Sequence, residues 1–212
     1  MNIYGRGLLE EVLEILWGSG WWWRLEQRRK QGLAIVFFFL GLWLLLGGLA
    51  QRRAPFSEPV LQFLFWLMYF FGLFLAIPRL LLERRPEEWR WLYSLVSERG
   101  GLGGLWVYVF GLTLGMGASL WVGSAFFWGY RPSFLQVEVG GAVLAVPLLI
   151  ASFLTARAEA AYALAAILAF PLCLFPLLWL TLRPQPPLLP LGGLFFLETL
   201  LYFLLGSYVW RE

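Results

Sequence analysis

The chain has 212 residues, of which 60% are hydrophobic and only 14% charged, and its mean hydropathy is +0.72. That balance excludes a soluble domain and describes a polytopic membrane protein. Histidine and aspartate are absent, and the sole lysine, Lys30, is followed by Gln31. A Ser-His-Asp triad and a Walker A nucleotide loop are therefore excluded, as are the histidines that usually ligate zinc or haem.

The net charge of +3 is modest and fits membrane topology better than nucleic-acid binding. The first residues hold no compact apolar core with a small-residue cleavage site, so no cleaved signal is expected. Over residues 8–17, Leu8, Leu9, Val12 and Leu16 share one helical face against Glu10, Glu11 and Glu14. After Gly18-Ser19-Gly20 come Trp21, Trp22 and Trp23, then Arg24, Arg28, Arg29 and Lys30. Tryptophan seeks the headgroup region, and the basic residues suit an anionic inner leaflet. Residues 1–32 therefore read as an N-terminal interfacial amphipathic region, with one or two helices over 8–31. Residues 33–212 form a second, membrane-spanning domain.

Within it the apolar runs predict an all-α architecture of six transmembrane helices, at about 33–50, 60–82, 104–128, 138–156, 160–182 and 188–209. Each approaches the roughly 20 apolar residues that a bilayer core requires. An even number of spans puts both termini on one side. With the N-terminus cytoplasmic, the inside segments hold Arg6, Arg24, Arg28, Arg29, Lys30, Arg79, Arg84, Arg85, Arg90, Arg99, Arg157 and Arg211. The outside segments then hold Arg52, Arg53, Arg131 and Arg183. Twelve against four selects the arrangement with both termini cytoplasmic.

The dense charge cluster of residues 79–99 lies between the second and third spans. Pro86 suits the first turn of a helix, and Glu87 and Glu88 sit where the helix dipole favours negative charge. Trp89, Leu92, Tyr93 and Val96 follow at the spacing of an apolar stripe, with Gly100-Gly101 as the stop. This predicts a cytoplasmic amphipathic helix lying on the membrane surface. It is either a plain connector or a docking helix for a soluble partner, with Glu83, Glu87, Glu88 and Arg90 free to meet it.

On the third span, Gly104, Gly111 and Gly115 form a small-residue face for helix packing, within the chain or against a second copy. Pro171 and Pro176 interrupt the fifth span, and Pro184, Pro186, Pro187 and Pro190 precede the sixth. They suggest a broken or partly re-entrant element on the outer side. Glu198 reads as the one acid well inside an apolar segment, which points to a bundle-facing or cavity-facing polar role or to a single structural hydrogen bond. Cys173, alone in an apolar run, reads as a small core residue.

Two blocks carry a resemblance. WRLEQRRKQGLAIVFFF, residues 23–39, is similar to the basic helix that runs into the first span of CcmB, the membrane subunit of the haem-exporter ABC complex of cytochrome c maturation. FLFWLMYFFGLFLAIPRLLLERRPEEWRWLYSLVSERGGL, residues 63–102, resembles that family's second span and its charged cytoplasmic segment. Length and the six-span plan agree as well. The sequence departs from the family at Glu98, where proline is expected, and at Leu105, near where many members carry lysine.

The resemblance implies an ABC permease-type fold in a bacterial cytoplasmic membrane, with a CcmA-like ATPase docked on the cytoplasmic face. It also implies CcmC- and CcmD-like membrane neighbours and a CcmE-like haem chaperone outside. ATP and haem would then be bound by partners and not by this chain, whose role would be export or release of the haem-loaded chaperone. Two other classes are weighed against this. An ATPase-independent transporter or channel should show paired intramembrane charges or repeated helix breaks. An intramembrane enzyme would have to work without His or Asp, and no alternative set converges at motif spacing.

Overall fold

The structure is a computed structural model that describes residues 8–28, 32–82, 97–156, 158, 161–183 and 188–211. Among these residues the regular structure is entirely helical: α1 (Leu8–Arg28), α2 (Gly32–Arg53), α3 (Glu58–Leu82), α4 (Glu98–Phe127), α5 (Phe134–Thr155), α6 (Ala161–Leu182) and α7 (Leu188–Arg211). Six of them, α2 to α7, are long and apolar enough to cross a bilayer. The chain is a multi-pass helical membrane protein. The predicted amphipathic helix, with Glu83, Glu87, Glu88 and Arg90, lies outside the described residues, as do Pro184, Pro186 and Pro187.

Local chemistry sets several boundaries. Ser97 caps α4, its Oγ accepting from the Gly100 N–H at 3.1 Å. Gly129, with φ of +69°, turns the chain after α4 in the left-handed region that glycine tolerates. α5 begins at Phe134, four residues before the predicted start of the fourth span, because Pro132 and Ser133 place a helix start there. Glu138 therefore sits inside a span. The run Gly18-Ser19-Gly20 does not divide α1, which is one helix. Nor do Pro171 and Pro176 break α6, which runs through both. A proline forfeits one backbone bond, and neighbouring helices tolerate that inside a membrane.

Packing is organised around α5. It touches α3, α4, α6 and α7, and nearly its whole length from Val137 to Phe153 is buried. The outer helices do the opposite. Phe38 of α2, Ile167 and Phe175 of α6, and Phe196 and Leu197 of α7 are each more than 60% exposed. A water-soluble monomer rarely bares such continuous apolar surface, and a bilayer covers it.

α1 is bound to the early part of α4, where Gly18 faces Gly100 and Gly104 backbone to backbone. Ile15 packs on Gly103 and Trp23 lies 6.3 Å from the Tyr108 ring. At the opposite end of α4, aromatic N–H groups tie turns and helices together. The Trp128 Nε1–H donates to Leu44 O at 3.0 Å and the Trp121 Nε1–H to Pro132 O at 2.8 Å. Gln62 Nε2 donates to Leu180 O at 2.7 Å and also to Arg183 O, joining α3 to the end of α6.

Candidate functional site

Where α3, α4 and α5 meet, three buried polar side chains come from three helices: Tyr69, Thr113 and Glu138. On α5, Gly140 and Gly141 leave no side chain in the way, and the rings of Trp66 and Tyr69 from α3 press into the space. Those two rings stack at 6.1 Å with planes 19° apart, and Phe65 meets both edge-on. The Tyr69 hydroxyl reaches across to α4 and donates to Thr113 O at 2.8 Å. Thr113 Oγ1 in turn donates to Val109 O at 2.8 Å, one turn back on the same helix.

One turn beyond Thr113 stands Gly117. A Cβ built there would lie 2.7 Å from Tyr69 Oη and 2.7 Å from Glu138 Oε1. Gly117 is thus the floor on which a phenol from α3 and a carboxyl from α5 come together. Glu138 is only 8% exposed, and neither of its carboxyl oxygens has a hydrogen-bond partner among the described residues. Buried acceptors are almost always satisfied, because an unpaired one costs roughly 1–3 kcal/mol. An ionisable group inside a span is costly, which makes Glu138 the candidate around which the site is described.

The residues singled out from sequence fall in four places. Gly104 meets the backbone of Gly18, so its missing side chain serves packing inside the chain. A Cβ at Gly111 or Gly115 would meet nothing, and both glycines line an apolar groove of about 480 Å³ with Ser19, Trp23, Phe37 and Tyr108. Glu198, midway along α7, is turned partly into the bundle with Oε2 buried and unpartnered, beside the equally unpartnered Thr199 Oγ1. Cys173 is buried, and its thiol donates to Leu144 O at 3.6 Å.

Besides Glu198, Glu138 is a second acid within a span, one turn into α5 and with less exposed surface. Sequence reasoning missed it by starting the fourth span at residue 138. The signal was the Arg131-Pro132-Ser133 turn, which moves the helix start outward, followed by Glu138 beside Gly140-Gly141. Among the described residues no group of three or more His, Cys, Asp or Glu is arranged to hold a metal ion.

Outside the spans, Tyr130 occupies the turn between α4 and α5. Its backbone N–H donates to Ser124 O at 3.2 Å and its ring meets Phe65 at 5.9 Å. Burial, and then the nearby Glu58 carboxylate, push its phenol up from 10.0 to about 12. On the adjoining end of α6, the Arg183 guanidinium sits over Trp179 at 5.6 Å.

The fold and this site define a six-span helical membrane protein with an acid–phenol junction at the contact of three helices. No family model, no curated protein and no solved structure matches the chain.

Proposed function

We propose that the chain is the membrane permease subunit of an ABC-type complex of cytochrome c maturation, a CcmB-like protein coupled to a separate cytoplasmic ATPase. What carries the reading is the order of elements around the two resembling blocks. A tryptophan-rich helix, α1, followed by the basic run Arg28, Arg29 and Lys30, leads into six apolar helices, and the one long charged connection between spans follows α3. In this reading both termini and the 83–96 connection face the cytoplasm of a bacterium, by the excess of basic residues there. Catalysis of ATP hydrolysis belongs to the partner, and haem to CcmC- and CcmE-like neighbours. A permease of another ABC exporter has the same parts, and the partner ATPase distinguishes it.

The test is co-purification. The tagged chain, expressed with a CcmA-like ATPase, should retain it through detergent extraction. Reversing Glu87, Glu88 and Arg90 together should abolish that association while membrane insertion persists, since no span is touched. Glu87→Ala alone should be mild, because one rim charge is worth about 0–1 kcal/mol. An ATPase that stays bound to the triple variant would reduce this segment to a connector.

A transporter or channel without an ATPase is the second reading, and the two span acids favour it. Glu138 and Glu198 both hold buried, unpartnered carboxyl oxygens. Failure to retain any ATPase, together with substrate flux into vesicles holding this chain alone, would favour it.

A further inference from the structure

We propose that Glu138 is a proton-binding site at the junction of α3, α4 and α5, closed by the hydroxyl of Tyr69. The geometry leaves the tyrosine half-used. Its hydrogen goes to Thr113 O at 2.8 Å, which leaves the hydroxyl oxygen free to accept, and Tyr69 Oη and Glu138 Oε1 each lie 2.7 Å from the Cβ position at Gly117. An ionised carboxylate is an acceptor only and can donate nothing to that oxygen. A proton on Glu138 turns it into a donor. Glu138 then donates to Tyr69 Oη, Tyr69 donates to Thr113 O, and two hydrogen bonds in series link the three helices.

The other ligands that suit a carboxyl fit less well. A metal ion needs several oxygen ligands, and no acidic or cysteine group of three surrounds Glu138 among the described residues. A cationic organic group needs room, and the space beside Glu138 is taken by Tyr69 and by the close approach of α4 at Gly117. The proton needs no cavity.

Among the described residues, the charged groups at this end of α5 are Arg131 before its first turn, Arg183 three residues past the Leu180 that meets Gly140, and Glu58 at the start of α3. α4 contributes Thr113 and Gly117, which are uncharged. On α6, Cys173 is engaged with Leu144 O, six residues further along α5 and so about 9 Å away along the axis. Tyr69 of α3 is the titratable side chain that shares the Gly117 floor with Glu138.

The proton would also serve as a latch. With it, the carboxyl is satisfied and the three helices are tied. Without it, an ionised carboxylate and Thr113 O compete for the single Tyr69 hydrogen, and one acceptor is left unpaired in an apolar interior, which weakens the tie of α5 to α3 and α4. The inference stands on this geometry and holds whether or not an ATPase docks on the chain.

Infrared spectroscopy of the full chain in detergent tests it. The difference between wild type and Glu138→Gln at neutral pH isolates this one carboxyl from Glu198 and the surface acids. It should contain the C=O stretch of a protonated carboxyl, lowered in D2O. Repeated in a Tyr69→Phe background, the band should move to higher frequency as the hydrogen bond is lost. Glu138→Asp, one methylene shorter, should keep a protonated band but shift it, and helix content by circular dichroism verifies that each variant is folded. Carboxylate stretches in place of the C=O band would overturn the proposal. So would a C=O band indifferent to Tyr69→Phe, since the tyrosine would not then close the site.

Discussion

A methyl group added at Gly117 would collide with Glu138 and Tyr69, whereas one added at Gly111 or Gly115 of the same helix would touch nothing. The same substitution should therefore act in opposite directions. Gly117→Ala forces the polar junction apart and should cost about 1–3 kcal/mol, the range of overpacked cores. Gly111→Ala and Gly115→Ala should be neutral or stabilising by up to roughly 1 kcal/mol, since alanine loses less backbone freedom in a helix. Thermal unfolding in detergent reads the contrast. A loss of function at Gly111 without loss of stability would show that another helix occupies the groove. Tyr130 gives a second residue-scale prediction. Its neutral form is favoured in the folded state, so its contribution to stability is whole below the ordinary value of 10.0 and is lost as the pH rises toward about 12. The ultraviolet ionisation difference between wild type and Tyr130→Phe should lie near the upper value and fall in Glu58→Gln.

Among the elements, α1 is the one whose sequence and structure differ most in meaning. The amphipathic pattern of residues 8–17 and the three tryptophans mark an interfacial helix, and Val12, Leu13, Leu16 and Trp17 do stand exposed along one side. The glycines at 18 and 20 look like a break when the segment is considered alone. In the fold Gly18 is instead the contact point at which α1 meets Gly100 and Gly104 of α4, an approach that any side chain would prevent. Gly104→Leu should therefore release α1 and leave the spans intact. Amide exchange measured by mass spectrometry should rise over residues 8–28 and stay low over α5. Equal loosening of both would mean that α1 is integral to the bundle. The prolines of α6 give the same lesson. Pro171 and Pro176 read as interruptions, yet the helix continues, because backbone groups freed by proline can be satisfied by adjacent helices.

At the scale of the molecule, the proposed topology rests on the excess of basic residues in the segments assigned to the inside, and it is open to direct test. Reporter fusions should place Ser57, Tyr130 and Gln185 outside and Pro86 and Arg157 inside, and an external Pro86 would remove both the docking role and the family reading. The number of spans, their approximate limits and this asymmetry of basic residues were all legible in the sequence, since each depends on local hydropathy or on short loops. Which helix stands at the centre was not. α5 and α6 are similarly apolar, yet α5 is enclosed on all sides and α6 bares Ile167 and Phe175. In water an amphipathic stripe reveals the buried face. In a bilayer the lipid is as apolar as the protein interior, so the pattern of a span carries little information about which side meets its neighbours. The junction of Tyr69, Thr113, Gly117 and Glu138 is hidden for the same reason: its members come from three helices, and only their packing brings a lone acid against a phenol.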